Sequence, residues 1–220
     1  MIGSSLLRYL DNQRLIVWDM ETESLNLFFS RPYQISYSIG TFKRIEKIIT
    51  RYIWWPDLRM SDGAAEITRF NWEEYKRLAE PADVVLRDFE TVILNPDYLS
   101  AGHNLLGFDI DQHKNWRRGC GLAPDWSYLP RLLDTMCLSK AYRLSLAPSG
   151  DRFAWQYKLL HERLSKKKDP NDPKKGGGVG LEAMCKQFNI EYDPMKAHSA
   201  DYDVTRTQLL LGQLIWQIEI

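Results

Sequence analysis

Five residues have side chains that could act together in a hydrolytic reaction. Asp19 and Glu21 lie in the segment 15–22, Asp109 ends the segment 102–109, and His198 lies five residues before Asp203. Magnesium is a hard cation that is usually held by a few carboxylates together with substrate phosphate. Three separated segments that each supply a carboxylate can form one such site in the folded chain, with the histidine as a base. This combination suits the cleavage of phosphodiesters.

Length and composition are those of an ordinary globular protein. The 220 residues, 44% hydrophobic and 26% charged, fit a single domain over 1–220. Because 29 basic residues balance 29 acidic ones, any binding of nucleic acid would need local basic patches. Two are present, at 116–118 and within the Gly/Pro-rich loop predicted at about 166–179.

Other features of the composition bear on location and metal content. The three cysteines form no C-x-x-C pair, which indicates reduced thiols in an intracellular protein and argues against a structural zinc site. The N-terminal residues do not resemble a signal peptide, and no apolar run is long enough to span a membrane. We therefore expect a cytoplasmic protein with no membrane partner.

The residue patterns predict an α/β domain with a mixed central sheet. β-type runs predict three antiparallel strands at 14–20, 34–40 and 46–55, followed by a turn region at 56–63. Further short strands are predicted at 99–104 and at the start of 132–144. Helical patterns cover 71–78, 83–94, a segment from 108 to Gly119, the rest of 132–144, 153–164, 181–188 and 200–218. Three strands followed by strands that alternate with helices indicate this fold class.

The candidate residues occur within three recognisable motifs. Asp19-Met20-Glu21-Thr22, Asn104-Leu105-Leu106-Gly107-Phe108-Asp109 and the pair His198 and Asp203 resemble the three motifs of the DEDD exonucleases. The His-x4-Asp form is similar to the DEDDh branch, which has a ribonuclease H-like fold. The second motif is one residue longer than the common proofreading form and resembles that of family B polymerase exonuclease domains, which carry a tyrosine in their third motif.

Each motif by itself also has an ordinary structural interpretation. A lone Asp-x-Glu is usually a solvated strand end, and Asp109 after Phe108 could simply begin a helix. His198 could be a surface or core histidine. Asp201 is a rival to Asp203, but the two lie about 200° apart on a helical wheel, so they cannot both face one site. The family spacing selects Asp203.

The resemblance implies a metal-dependent 3′–5′ exonuclease that releases 5′-mononucleotides. Asp19 would bridge two Mg²⁺ or Mn²⁺ ions, Glu21 and Asp203 would complete the first metal site, and Asp109 would bind directly or through water. Two metals about 4 Å apart stabilise both the attacking and the leaving oxygens. His198 would take the proton from the attacking water.

The resemblance also suggests which residues contact the substrate. These are Thr22, Leu25, His103, Asn104 and Phe108, with Leu25 and Phe108 packing against the terminal nucleotides and Asn104 and Thr22 fixing the 3′ end by hydrogen bonds. Asp134 matches a family position that we interpret as structural, a carboxylate that bonds backbone. The segment 65–68 resembles a loop near the substrate, although a plain surface turn is an equal interpretation.

The expected partner is the single-stranded 3′ end of a nucleic acid. DNA is favoured over RNA because the second motif resembles that of proofreading domains. Two alternatives remain open at this point: an exoribonuclease of the same fold, and a catalytically silent module that binds nucleic acid.

Overall fold

A six-stranded mixed sheet forms the centre of the protein. The structure is a computed structural model that describes residues 6–164 and 177–220. The strands are β1 (Arg14–Thr22), β2 (Pro32–Gly40), β3 (Ile45–Trp54), β4 (Glu80–Pro81), β5 (Tyr98–Gly102) and β6 (Leu132–Asp134). Their order is β4-β3-β2-β1-β5-β6. β2 is antiparallel to β1 and β3, whereas β5 is parallel to β1 and β6, and β4 is parallel to β3.

Eight α-helices are found in the described part of the chain. They are α1 (Asp62–Thr68), α2 (Trp72–Leu78), α3 (Ala82–Ile93), α4 (Asp109–Gly119), α5 (Thr135–Leu144), α6 (Arg152–His161), α7 (Leu181–Gln187) and α8 (Ala200–Gln217). Within the described residues, none of them is both long and apolar enough to cross a membrane.

Trp18 lies on the face of the sheet against which two helices pack. Its ring contacts Phe89 of α3 at 5.5 Å between centroids, and Phe89 stacks on Trp116 of α4 at 6.1 Å. The Trp18 indole N–H donates to Ser100 Oγ in β5 at 2.8 Å, so the polar atom of this fully buried side chain has a partner. α3 and α4 therefore cover this face.

The opposite face of the sheet is covered by α8. Gln208 of α8 is buried, accepts a hydrogen bond from Ser38 Oγ of β2 at 2.5 Å and donates to the Thr41 carbonyl at 2.9 Å. Ser36 faces the same side as Ser38, because side chains alternate along a strand, and it lies opposite Asp19 of β1. Asp19, and with it Glu21, therefore points to the face on which α8 packs.

The structure confirms the predicted fold class and most elements, with a few corrections. The predicted turn at 56–63 is wrong at its end, because Ser61 caps α1 by accepting the Ala64 N–H, and the helix covers the segment 65–68. β5 ends at Gly102, whereas the strand predicted at 99–104 ended at Asn104. The short β4 was not predicted. Residues 166–176 of the predicted basic loop lie outside the described residues, and the assignment of one domain stays a prediction.

Candidate active site

The predicted motifs meet where three parallel strands end. In the register of β1, β5 and β6, Val17 pairs with Ala101 and Gly102 pairs with Asp134, so the carboxyl ends of these strands share one edge. Ligands commonly bind at such an edge in α/β sheets. β5 packs closely on β1 at this edge, since a Cβ on Gly102 would lie 2.7 Å from the Trp18 carbonyl oxygen. The last residue of β5 is thus held directly against β1.

A cleft of about 920 Å³ opens at this edge. All ten residues proposed from the sequence line it: Asp19, Glu21, Thr22, Leu25, His103, Asn104, Phe108, Asp109, His198 and Asp203. The structure thus brings together three motifs that are far apart in the sequence.

Three carboxylates form the centre of the cleft. One carboxylate oxygen from each of Asp19, Glu21 and Asp203 lies within 4.8 Å of the others. Asp109 is outside this group of three, and its Oδ1 accepts the backbone N–H of Met20 at 3.1 Å. Oδ1 of Asp203 is buried and has no hydrogen-bonding partner among the described residues. A buried carboxylate oxygen without a donor, beside two further carboxylates, fits the ligand set of a hard divalent cation.

Burial raises the pKa values of the four carboxylates, and neighbouring carboxylates add to the shift. Burial, followed by the charge of Asp203, raises the pKa of Asp19 to about 8. Burial, with the charges of Asp19 and Asp203, also raises the pKa of Glu21 well above its usual range. The pKa of Asp203 rises to about 6 through burial, against the opposing hydrogen bond from the His198 backbone. The pKa of Asp109 is raised by burial and by the charge of Asp19. A bound cation would favour the charged form of each group.

His198 lies at the mouth of the cleft, immediately before α8. Its φ of 60° is in the left-handed region, and its backbone N–H donates to Asp203 Oδ2 at 3.0 Å. The residue is exposed and lines the cleft. This backbone geometry is uncommon for a residue other than glycine, and it holds the histidine beside the carboxylates.

Asp201 and Asp203 lie in different surroundings. Asp203 lines the cleft, whereas Asp201 lines a separate groove with Arg69, Tyr202 and other residues. The Asp201 carboxylate also accepts a hydrogen bond from the Ser199 hydroxyl. The two aspartates therefore face different sides of α8, as helix geometry requires.

The residues proposed to contact substrate differ in whether their polar atoms already have hydrogen-bonding partners. Thr22 Oγ1 donates to the Ser24 carbonyl at 2.8 Å, so its proton is engaged and its oxygen can only accept from a ligand. His103 Nδ1 lies 2.9 Å from Thr135 Oγ1, and burial lowers the pKa of His103 to about 4. Its Nε2 is buried without a hydrogen-bonding partner among the described residues. His103 is therefore neutral at physiological pH.

Asp134 has the structural role that the sequence predicts. Its buried carboxylate accepts backbone N–H groups from Asn104 at 3.1 Å and Leu106 at 2.9 Å. It also caps α5 by accepting those of Met136 and Cys137. One carboxylate thus ties the second motif to the start of α5.

The predicted basic patch at 116–118 needs correction. Trp116 is fully buried, and the guanidinium of Arg117 pairs with Glu90 and donates to the Ala123 carbonyl. Arg117 is therefore used within the protein and is not available to a phosphate. Arg118 is exposed, and its Nη1 lies 3.4 Å from the carbonyl oxygen of Phe28.

Part of the cleft wall was not found from the sequence. Gly63, Ala64 and Ile67 of α1 line it on one side, and α7 contributes Leu181 and Glu182. Tyr192, which lies between α7 and α8 in the sequence, also lines the cleft. These residues carry no motif, and the only sequence signal was the resemblance of 65–68 to a loop near the substrate.

Solved structures of E. coli exonuclease I are similar to this chain. The complex with a dT13 oligonucleotide has a TM-score of 0.69 and 18% sequence identity, over 92% of this chain and 41% of that chain. The complex with a dA16 oligonucleotide has a TM-score of 0.70 and 18% identity, over 92% and 42%. The zinc-bound form of the complex with single-stranded DNA has a TM-score of 0.68 and 19% identity, over 91% and 40%.

This chain has the fold seen in exonuclease I. It spans about two fifths of the length of those chains, and at this identity the likeness concerns the fold alone. No protein-family model and no curated protein matches the sequence.

Proposed function

We propose that this protein is a metal-dependent 3′–5′ exonuclease that hydrolyses single-stranded nucleic acid and releases 5′-mononucleotides. The observation that carries the proposal is the cluster of Asp19, Glu21 and Asp203, with His198 at the mouth of the same cleft. Such a cluster of carboxylates with raised pKa values in a concave site is typical of a functional centre.

Asp19, Glu21 and Asp203 would hold Mg²⁺ or Mn²⁺, with Asp109 as a further direct or water-mediated ligand. Two such ions, when bound, supply stabilisation of the charge that develops on the attacking and leaving oxygens. The hydrogen bond from the Met20 N–H fixes one oxygen of Asp109, so this carboxylate is oriented before any ligand arrives. Asp109 would therefore need little rearrangement to bind a metal ion or its water.

His198 would accept the proton of the attacking water. Its exposure at the mouth of the cleft lets the imidazole reach a water molecule beside the carboxylates. The hydrogen bond from its backbone to Asp203 keeps the base next to a metal ligand. General-base catalysis of this kind contributes about 10²–10⁴-fold to a rate.

DNA is the preferred substrate in this proposal. The second motif, Asn104 to Asp109, has the spacing that resembles polymerase proofreading domains. The similar exonuclease I structures are complexes with DNA oligonucleotides, which supports the same class of ligand here. Leu25 and Phe108 line the cleft with apolar surface on which a base can stack irrespective of its identity.

A silent binding module fits these observations less well. Bringing carboxylates together in a partly buried cleft is unfavourable without a cation, as the raised pKa of Asp19 indicates. A protein that only bound phosphates would gain from basic side chains at this point. Four carboxylates there would repel a phosphate unless metal ions neutralise them.

The deciding experiment uses purified protein with Mg²⁺ and matched single strands of DNA and RNA, labelled at the 5′ or the 3′ end. We expect 5′-labelled DNA to shorten progressively and 3′-labelled DNA to release labelled mononucleotide at once, with EDTA stopping both. Internal cuts, or cleavage that EDTA does not affect, would contradict the proposal. Degradation of RNA with DNA left intact would establish the exoribonuclease alternative.

A further inference from the structure

The loop that joins β1 to β2 exposes three large apolar side chains. Leu25, Phe28 and Phe29 are 79%, 70% and 78% exposed. Single exposed apolar residues are common on protein surfaces, but a group of them beside a binding cleft indicates an interaction site. Leu25 lines the cleft itself, and Phe28 and Phe29 follow it three and four residues later in the same loop.

This loop is firmly held at its base. The buried carboxylate of Glu23 pairs with the Arg31 guanidinium at 3.0 Å, and its other oxygen accepts the Arg59 N–H at 2.9 Å. Asn115 of α4 donates from its side-chain amide to the carbonyls of Leu27 at 3.0 Å and Ser30 at 2.9 Å. The body of the loop is thus fixed to α4 and to the segment before α1.

The tip that carries the two aromatic rings is ordered as well. Asn26 Oδ1 accepts the backbone N–H groups of Phe28 at 2.9 Å and Phe29 at 3.2 Å. The two rings lie 6.4 Å apart between centroids and are tilted by 51°. A tip whose backbone is already fixed loses little backbone conformational entropy when a ligand binds, which favours affinity.

A cation lies beside this pair. The exposed guanidinium of Arg118 approaches the Phe28 carbonyl at 3.4 Å, and Arg118 forms no ion pair among the described residues. Exposed aromatic rings next to a free cation match the two components of single-strand binding, which are base stacking and phosphate neutralisation. Nothing in this combination selects a particular base.

We propose that Phe28 and Phe29 form a stacking platform for a single-stranded nucleic acid, with Arg118 as its phosphate contact. The platform would bind bases on the 5′ side of those in the cleft, where the strand leaves over Leu25. This inference rests on the proposed function, since it takes the strand to enter the cleft with its 3′ end. It adds a binding surface that none of the three motifs contains.

The test measures affinity as a function of strand length. Fluorescence anisotropy with 5′-labelled oligo(dT) of two to twelve nucleotides is recorded for the wild type and for Phe28→Ala/Phe29→Ala with Ca²⁺ in place of Mg²⁺, at a concentration at which no cleavage is detected. We expect the wild type to gain affinity with length and the double variant to lose roughly 5- to 150-fold on the long strands for each base that stacks on the rings. On the dinucleotide the two proteins should differ much less.

Matched controls separate stacking from other effects. Trp216→Ala removes an aromatic side chain that is 57% exposed near the other end of α8, and it should not change the length dependence. Abasic residues placed at successive positions from the 3′ end should weaken wild-type binding at the platform and have no effect there in the double variant. Arg118→Gln should lower the slope of log affinity against log salt by about 0.7.

Equal affinities of wild type and double variant at every length would overturn the platform. An equal loss on the dinucleotide and on the twelve-mer would also overturn it, because the loop would then only support the cleft. The proposed function has a separate readout in end-specific cleavage with Mg²⁺. If the wild type cleaves and the double variant binds normally, only the platform is contradicted. If the wild type does not cleave and the double variant loses affinity on long strands, only the nuclease activity is contradicted.

Discussion

The backbone N–H of His198 donates to Oδ2 of Asp203 at 3.0 Å, while Oδ1 of the same carboxylate is buried and has no hydrogen-bonding partner among the described residues. One oxygen therefore accepts a bond from the proposed base, and the other is available to the proposed cation. This division couples the two residues, since the Asp203 carboxylate is the acceptor of the backbone N–H of His198, whose φ is positive.

Asp203 and Asp201 form a matched pair for testing the metal site. Asp203→Asn replaces a carboxylate oxygen in the acidic cluster, and metal stabilisation is worth several kcal/mol, so we expect turnover to fall on the order of a thousandfold. Asp201→Asn changes the same functional group in the separate groove and should leave turnover nearly intact. Steady-state cleavage of a labelled DNA strand measures both. The opposite pattern would show that Asp201 is the ligand.

His198→Ala should lower turnover about 10²–10⁴-fold, the usual effect of removing a general base. Because the side chain is exposed, we expect the melting temperature and the stabilisation by Mg²⁺ to stay close to those of the wild type. Added imidazole should restore part of the cleavage rate in the variant alone. Full activity without imidazole would mean that His198 takes no part in the reaction.

Asp19 should make stability depend on pH when metal is removed. Its pKa of about 8 in the folded protein exceeds its ordinary value of 3.8. Between these two pKa values the folded protein keeps a proton that the unfolded chain has released. The free energy of unfolding therefore decreases as the pH rises from about 3.8 to about 8. Asp19→Asn cannot undergo this loss.

The measurement is the melting temperature of wild type and Asp19→Asn in EDTA from pH 4 to pH 9. The variant's melting temperature should rise relative to that of the wild type as the pH increases, and Mg²⁺ at about 100 times its Kd should stabilise only the wild type, by about 2.7 kcal/mol. A difference between the proteins that stays constant with pH would contradict the raised pKa of Asp19.

Asp134→Ala should destabilise the fold without touching the metal cluster. The substitution leaves four backbone N–H groups without their acceptor, including two at the start of α5, so we expect a loss on the order of 3 kcal/mol. Urea unfolding followed by tryptophan fluorescence measures it. Asp134→Asn keeps an acceptor oxygen and should lose less. Equal stability of all three proteins would contradict the structural role.

The sequence by itself determined the features that depend on neighbouring residues. The predicted helix at 71–78 is an example: Asn71 caps α2, because its side chain accepts the N–H groups of Glu73 and Glu74, which are only two and three residues away. The strand that leads to Asp19 and Glu21, and the change from strand to helix within 132–144, were also predicted from local patterns. The prediction for Gly63 is wrong. Glycine is typical of loops, so the turn region was extended to Gly63, but this residue lies at the start of helix α1.

Only the tertiary structure decided which polar groups are available for chemistry. Arg117 and Arg118 are equivalent in the sequence, yet Arg117 is neutralised by Glu90 from another helix and Arg118 is not. The fixed β1–β2 loop likewise depends on Arg59 and Asn115, which are distant in the chain. Spacing can place carboxylates at strand and helix ends, but the partners that hold, bury or free a side chain come from packing between distant segments.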